Sequence, residues 1–231
     1  MKNYFLKNII TIFTGIILLN YSAVNAQSSI ADSADAQIQQ KATSWVQALN
    51  LNDDAKAMRV EKVVAAHLIS VRDWHNSHPY TLVPEGINPV TGNKLTQLDR
   101  QLIVSSTIPS SVHNSLMTGL RENLNEEQVE AILDKYTVGK VAFTMKGYEA
   151  IVPNLTDTER AVIMTNLKNA REQAIDYKNM KEISAIFDIY KTKNEQYLNE
   201  HGRNWRQLFK NYVNKVKAEK AAKDNEGKHA N

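Results

Sequence analysis

His67, His75 and His78 are the clustered histidines of the chain, on or just after one stretch of helical periodicity. His75 and His78 have the i, i+3 spacing that a metal site can use, and His67 shares a face with His78, but His75 is rotated away from that face. No HExxH accompanies them and the chain has no cysteine. The pattern therefore predicts core or surface histidines, with neither a bound metal nor another cofactor.

Carboxylates come in pairs at Asp53/Asp54, Glu126/Glu127 and Asp157/Glu159. Each pair falls where a helix is expected to begin, and the helix dipole and capping already favour acids there. Glycoside hydrolysis needs two carboxyl groups facing each other across a cleft, which these positions do not offer. GxSxG, P-loop and dinucleotide fingerprints are absent, so no catalytic residue is assigned.

The groups best suited to recognition are Arg171 and Glu172, with Tyr136, Thr144, Tyr148, Tyr190 and Trp205. Aromatic faces beside a fixed arginine and carboxylate can hold a sugar or an anion by stacking and bidentate hydrogen bonds. A structural role competes with that reading: Arg171 and Glu172 would pair with neighbouring helices while the tyrosines seal the edge of the core.

Helices must position these residues. No Gly or Pro occurs between Gln27 and His78 or between Asn154 and His201, which suits long helices and excludes an all-β architecture. The expectation is a single-domain, all-α bundle of about seven or eight helices over 37–217. It is interrupted by one long loop at 79–94, where Pro79, Pro84, Gly86, Pro89 and Gly92 cannot belong to a helix interior. Three segments put a leucine before a capping residue and an acid after it: Leu51-Asn52-Asp53, Leu124-Asn125-Glu126 and Leu155-Thr156-Asp157. Gln128 completes a capping box with Asn125. Thr107 is expected to cap the helix opened by Pro109. Gly139 should break the chain, leaving Val141 to Phe143 extended before Thr144 caps a short helix that Pro153 ends. Apolar residues from Trp205 to Val216 make a terminal amphipathic helix, followed by a charged, disordered tail over 218–231.

At the other end, Lys2 and Lys7, the apolar run Ile9 to Leu19 and Val24-Asn25-Ala26 read as the three regions of a signal peptide over 1–26. The run is too short to span a bilayer. The mature chain would begin at Gln27 with a flexible lead-in over 27–36, and would be periplasmic or secreted with no membrane span. The formal charge is +3. From Arg203 onward eight Lys and Arg oppose three Asp and Glu, a surplus of +5, so residues 27–202 stand at about −4. A nucleic-acid binder should carry its basic patch on the folded domain; this placement argues against nucleic acid as partner.

The run Glu127-Gln128-Val129, Tyr136 to Val141, Thr144 with Tyr148, Pro153-Asn154-Leu155-Thr156 and Glu159 resembles a secreted family of unknown function in Bacteroidetes. The likeness continues through Ala170 to Ala174, Ile189-Tyr190-Lys191 and Gly202 before Trp205, and covers about Lys41 to Leu208. Members often sit beside genes for polysaccharide use, so the resemblance implies a carbohydrate setting; the family has no assigned site residues to carry over. The Leu-Asn/Thr-x-x-Gln/Glu helix starts also resemble the repeated motif of small periplasmic stress chaperones built as helical cradles. The expected function is an exported, non-catalytic binding or accessory protein with a glycan or periplasmic protein partner. The alternatives are a chaperone-like cradle and a carbohydrate-active enzyme.

Overall fold

The computed structural model describes residues 33–89 and 91–229; the expected signal peptide and most of the lead-in lie outside them. The chain is all-α, with no strand among the described residues beyond an isolated bridge between Ile87 and Lys94. It divides into two compact units, the first ending at Ile69 and the second beginning at Ser70.

The first unit contains α1 (residues 33–47) and most of α2 (Asp54–Ser77). Asn50 turns the chain between them at φ 50°, a left-handed conformation that asparagine tolerates. Asp53 Oδ1 accepts from the Lys56 amide at 2.9 Å, so α2 is capped one residue later than Asn52, the cap expected from the sequence. Ala42 and Val46 on α1 and Val60 and Val64 on α2 are buried at helical spacing, and Thr43 donates to Glu61 at 3.0 Å.

The second unit takes the end of α2 and then α3 (Gln97–Ser105), α4 (Ser110–Asn123), α5 (Glu126–Tyr136), α6 (Lys140–Ile151), α7 (Asp157–Ala174), α8 (Met180–Glu200) and α9 (Trp205–His229). Its core is built on α6, α7 and α8. Val141, Met145 and Tyr148 of α6 meet Ile163, Leu167, Ala170 and Ala174 of α7 and Ile183, Ile186, Phe187 and Leu198 of α8. Ala170 and Ala174 are fully buried, and small residues there let α7 and α8 pack closely. Truncating a fully buried leucine such as Leu167 to alanine costs about 2 to 5 kcal/mol.

Helix starts follow local chemistry. Asn125 with Gln128 and Thr156 with Glu159 form the expected capping boxes, and Thr96 with Asp99 forms a third. Arg203, at the corner between α8 and α9, donates to both Glu159 oxygens at 2.7 and 2.9 Å. Arg203 first, and then the Thr156 backbone and hydroxyl, overcome burial and lower the Glu159 carboxyl to about 2.

Several local expectations are overturned. Thr107 does not cap α4: its hydroxyl donates back to the Val104 carbonyl at 2.6 Å, and Pro109 opens the helix without a side-chain cap. Val141 to Phe143 is helical, because Val138 and Gly139 both take positive φ, 53° and 67°, and turn the chain into α6 at Lys140. This start buries Val141 in the core, leaves Phe143 exposed and places Thr144 inside the helix, not at its cap. The expected long loop holds a 3-10 turn at Tyr80–Leu82 and is tied to α3 by Arg100, which donates to the Val83 carbonyl at 2.8 Å. Helix α9 continues through the segment read as a tail, to His229.

Candidate functional site

A groove of about 510 Å³ opens between the α3–α4 turn, α4, α7 and α8, within the size range of small-ligand sites. Ser110, His113 and Asn114 reach it from α4, Asn169, Glu172 and Gln173 from α7, Asp176 and Tyr177 from just beyond α7, and Tyr190 from α8. Asn169, Glu172, Gln173 and Asp176 are spaced i, i+3, i+4, i+7, a polar stripe on one helical face.

His113 stands against that stripe. Its Nδ1 lies 2.9 Å from Asp176 Oδ2 and its Nε2 3.7 Å from Glu172 Oε1. The hydrogen bond to Asp176 raises the imidazole above its ordinary range, burial opposes it, and the charges of Asp176 and Glu172 add to the rise. Two carboxylates thus hold a ring that favours the imidazolium form.

A second polar cluster lies beneath a neighbouring groove lined by Gln97, Gln101, Lys178, Asn179 and Lys181. Ser105 Oγ donates to Glu182 Oε2 at 3.0 Å and lies 3.3 Å from His75 Nδ1, and all three residues are buried. Asn179 caps α8 and also hydrogen-bonds Glu182 through its amide. Burial lowers the His75 pKa; the Glu182 charge and the Asp176 backbone pull the other way without reversing the shift. Ser105 and Asp176 take part in both clusters.

The residues singled out in the sequence are dispersed. Glu172 and Tyr190 line the first groove. Tyr148 and Trp205 meet elsewhere, with ring centroids 5.4 Å apart, and Tyr148 donates to the Lys191 carbonyl at 3.4 Å. Burial raises the Tyr148 phenol well above its usual range and does the same to Tyr136 on α5. Arg171 is turned inward against α5, bonding Glu130 Oε1 at 2.5 Å and Asp134 Oδ1 at 2.6 Å. Burial opposes ionisation of Glu130, but hydrogen bonds from Lys168 and Arg171 outweigh it. Thr144, half-exposed on α6, lines neither groove.

Of the clustered histidines, His78 stacks on Trp74 with centroids 3.7 Å apart, and His75 belongs to the buried cluster. Among the described residues no three His, Asp or Glu side chains form a group able to hold a metal ion. Sequence reasoning missed His113, Asp176, Asn114, Asn169, Gln173 and Tyr177. The polar stripe on α7 was a usable signal for three of these, whereas His113 is 63 residues from Asp176 and carried none.

No curated protein matches the chain. Residues 35–218 match the family described as Protein of unknown function (DUF3826). The match takes in the whole of α2 to α8, the groove included, and the chain belongs to this family.

Proposed function

We propose that this is an exported binding or accessory protein whose groove between α4, α7 and α8 holds a hydroxyl-rich ligand, a glycan or glycan fragment. The observation that carries this reading is the groove lining: Asn114, Asn169, Glu172 and Gln173 offer amide and carboxylate hydrogen bonds beside the rings of Tyr177 and Tyr190. Sugars need that combination, because their hydroxyls take paired donors and acceptors while their C–H faces rest on aromatic rings. The likeness to secreted Bacteroidetes proteins encoded near polysaccharide-use genes, and the leader-like 1–26 segment, favour a periplasmic or secreted setting for it.

The enzyme alternative fits less well. Glu172 and Asp176 stand four residues apart along one wall, both turned toward His113, whereas glycoside hydrolysis needs carboxyls on opposite sides of the bond. A chaperone cradle would offer a concave apolar face, whereas most residues lining this groove carry polar side chains.

Glycan arrays and calorimetry test the reading. Binding of a neutral oligosaccharide at roughly millimolar to micromolar affinity is expected, weakened at least tenfold by Glu172→Ala or Tyr190→Ala with the fold intact. Release of reducing sugar would make the protein an enzyme, and suppression of client aggregation without glycan binding would make it a chaperone.

A further inference from the structure

Helix α9 leaves much of its apolar stripe uncovered. Trp205 and Leu208 pack on the core of α6, α7 and α8. Beyond Leu208 no described side chain of the helix is buried: Phe209 is 46% and Val216 43% exposed, with Tyr212 and Val213 half-buried. At helical spacing Phe209, Val213 and Val216 form one edge of the stripe, Arg206, Lys210 and Lys217 run in a row beside that edge, and Lys220 falls within it. Between Trp205 and Ala222 the helix carries Arg206, Lys210, Lys215, Lys217 and Lys220 against Glu219 alone. Lys215 lies 3.9 Å from Glu219, and among the described side chains the other four cations have no ion-pair partner.

We propose that α9 is a membrane-surface helix that docks the protein on an anionic phospholipid bilayer. Phe209, Val213 and Val216 enter the headgroup boundary while Arg206, Lys210, Lys217 and Lys220 meet lipid phosphates. An exposed apolar edge flanked by basic residues is the pattern of interfacial helices, and Tyr212 is a residue type that favours that boundary. Among the described residues no helix is long and apolar enough to cross a membrane, so α9 would lie on the surface.

Charge and area together select lipid over protein. A stable protein interface buries on the order of 800 Å² per partner around well-packed anchors, more than three apolar side chains on one helix edge supply. A lipid surface needs only shallow insertion with basic residues nearby, each worth about fivefold in partitioning. Residues 27–202 are net negative while the segment from Arg203 is net positive, so attraction to an anionic surface is concentrated at this helix. The proposal does not depend on the groove holding a glycan.

Flotation of the full protein with phosphatidylcholine vesicles, with and without phosphatidylglycerol, tests it. Binding to the anionic vesicles alone, falling as salt rises, is expected. Replacing Arg206, Lys210, Lys217 and Lys220 together by glutamine should weaken partitioning more than a hundredfold. Phe209→Ala with Val216→Ala should reduce binding several-fold at unchanged charge. These positions are exposed, and an unchanged circular dichroism spectrum would show that the fold survives. No binding to anionic vesicles at low salt, or binding indifferent to the four-residue change, overturns the proposal. Salt-sensitive self-association abolished by the same changes, without vesicle binding, would overturn it in favour of a second copy of the chain.

Discussion

The groove around His113 and the buried cluster around His75 are built from the same parts, a histidine with carboxylate and serine neighbours, and they share Ser105 and Asp176. Their chemistry nevertheless diverges. His113 faces two carboxylates at the wall of an open groove and its pKa rises. His75 faces one carboxylate in the interior, and burial drives its pKa down. Residue type therefore does not assign a role here: solvent access and the number of opposing charges do. The buried set ties α2, α3 and α8 together, while the open one presents hydrogen-bonding groups to solvent.

The comparison breaks most visibly at Glu182. Glu182→Ala removes the acceptor for Ser105 and Asn179 and leaves buried polar groups unpaired, and should cost about 3 kcal/mol in denaturant unfolding. A loss within experimental error would mean that the buried cluster does not hold the helices together.

Arg171 and Glu172 sharpen it within two adjacent residues. Arg171 is 2% exposed and pairs with Glu130 and Asp134 on α5, whereas the Glu172 side chain is 47% exposed in the groove. Arg171→Ala should cost about 2 kcal/mol, discounted because both partner carboxylates reach solvent. Glu172→Ala should shift stability by less than about 0.5 kcal/mol while lowering ligand affinity. If Glu172→Ala unfolded the domain, or Arg171→Ala spared it, the division between inner and outer faces of α7 would be wrong. Asn125→Ala, a simple cap loss remote from either histidine in the chain, sets the scale at about 1 kcal/mol.

The smallest effects are differences of sign with pH. The His113 pKa is raised above 6.5 on folding, so its stabilisation is full below that value and is lost as pH rises through the folded pKa. The His75 pKa is lowered, so folding favours the neutral ring; that contribution is present above 6.5 and lost as pH falls through its folded pKa. Unfolding free energies across pH for His113→Gln and His75→Gln should each remove one of these opposite slopes. Equal signs would refute the distinction.

Much of the architecture was legible in the chain. Capping boxes at Asn125 and Thr156, the stop at Pro153 and the apolar stripes are local signals, because a cap or a helical face involves residues a few positions apart. Failures came where two local preferences competed. Thr107 could cap forward or bond backward, and turned back to Val104. Val141 to Phe143 has strand-like composition, but positive φ at Val138 and Gly139 starts α6 early enough to bury Val141.

The candidate site was legible only in part. Glu172 and Tyr190 belong to the groove, but Arg171 is consumed by α5, and Tyr148 and Trp205 meet each other away from it. By itself the sequence determined the all-α class, most helix boundaries and which side chains are polar, since these follow from backbone sterics, caps and periodicity over a few residues. Which face of α7 meets α5 and which meets solvent, and that His113 stands beside an aspartate 63 residues away, only the tertiary structure decided. Those outcomes depend on how α4, α5 and α8 pack around α7, and packing brings together residues that no local spacing relates.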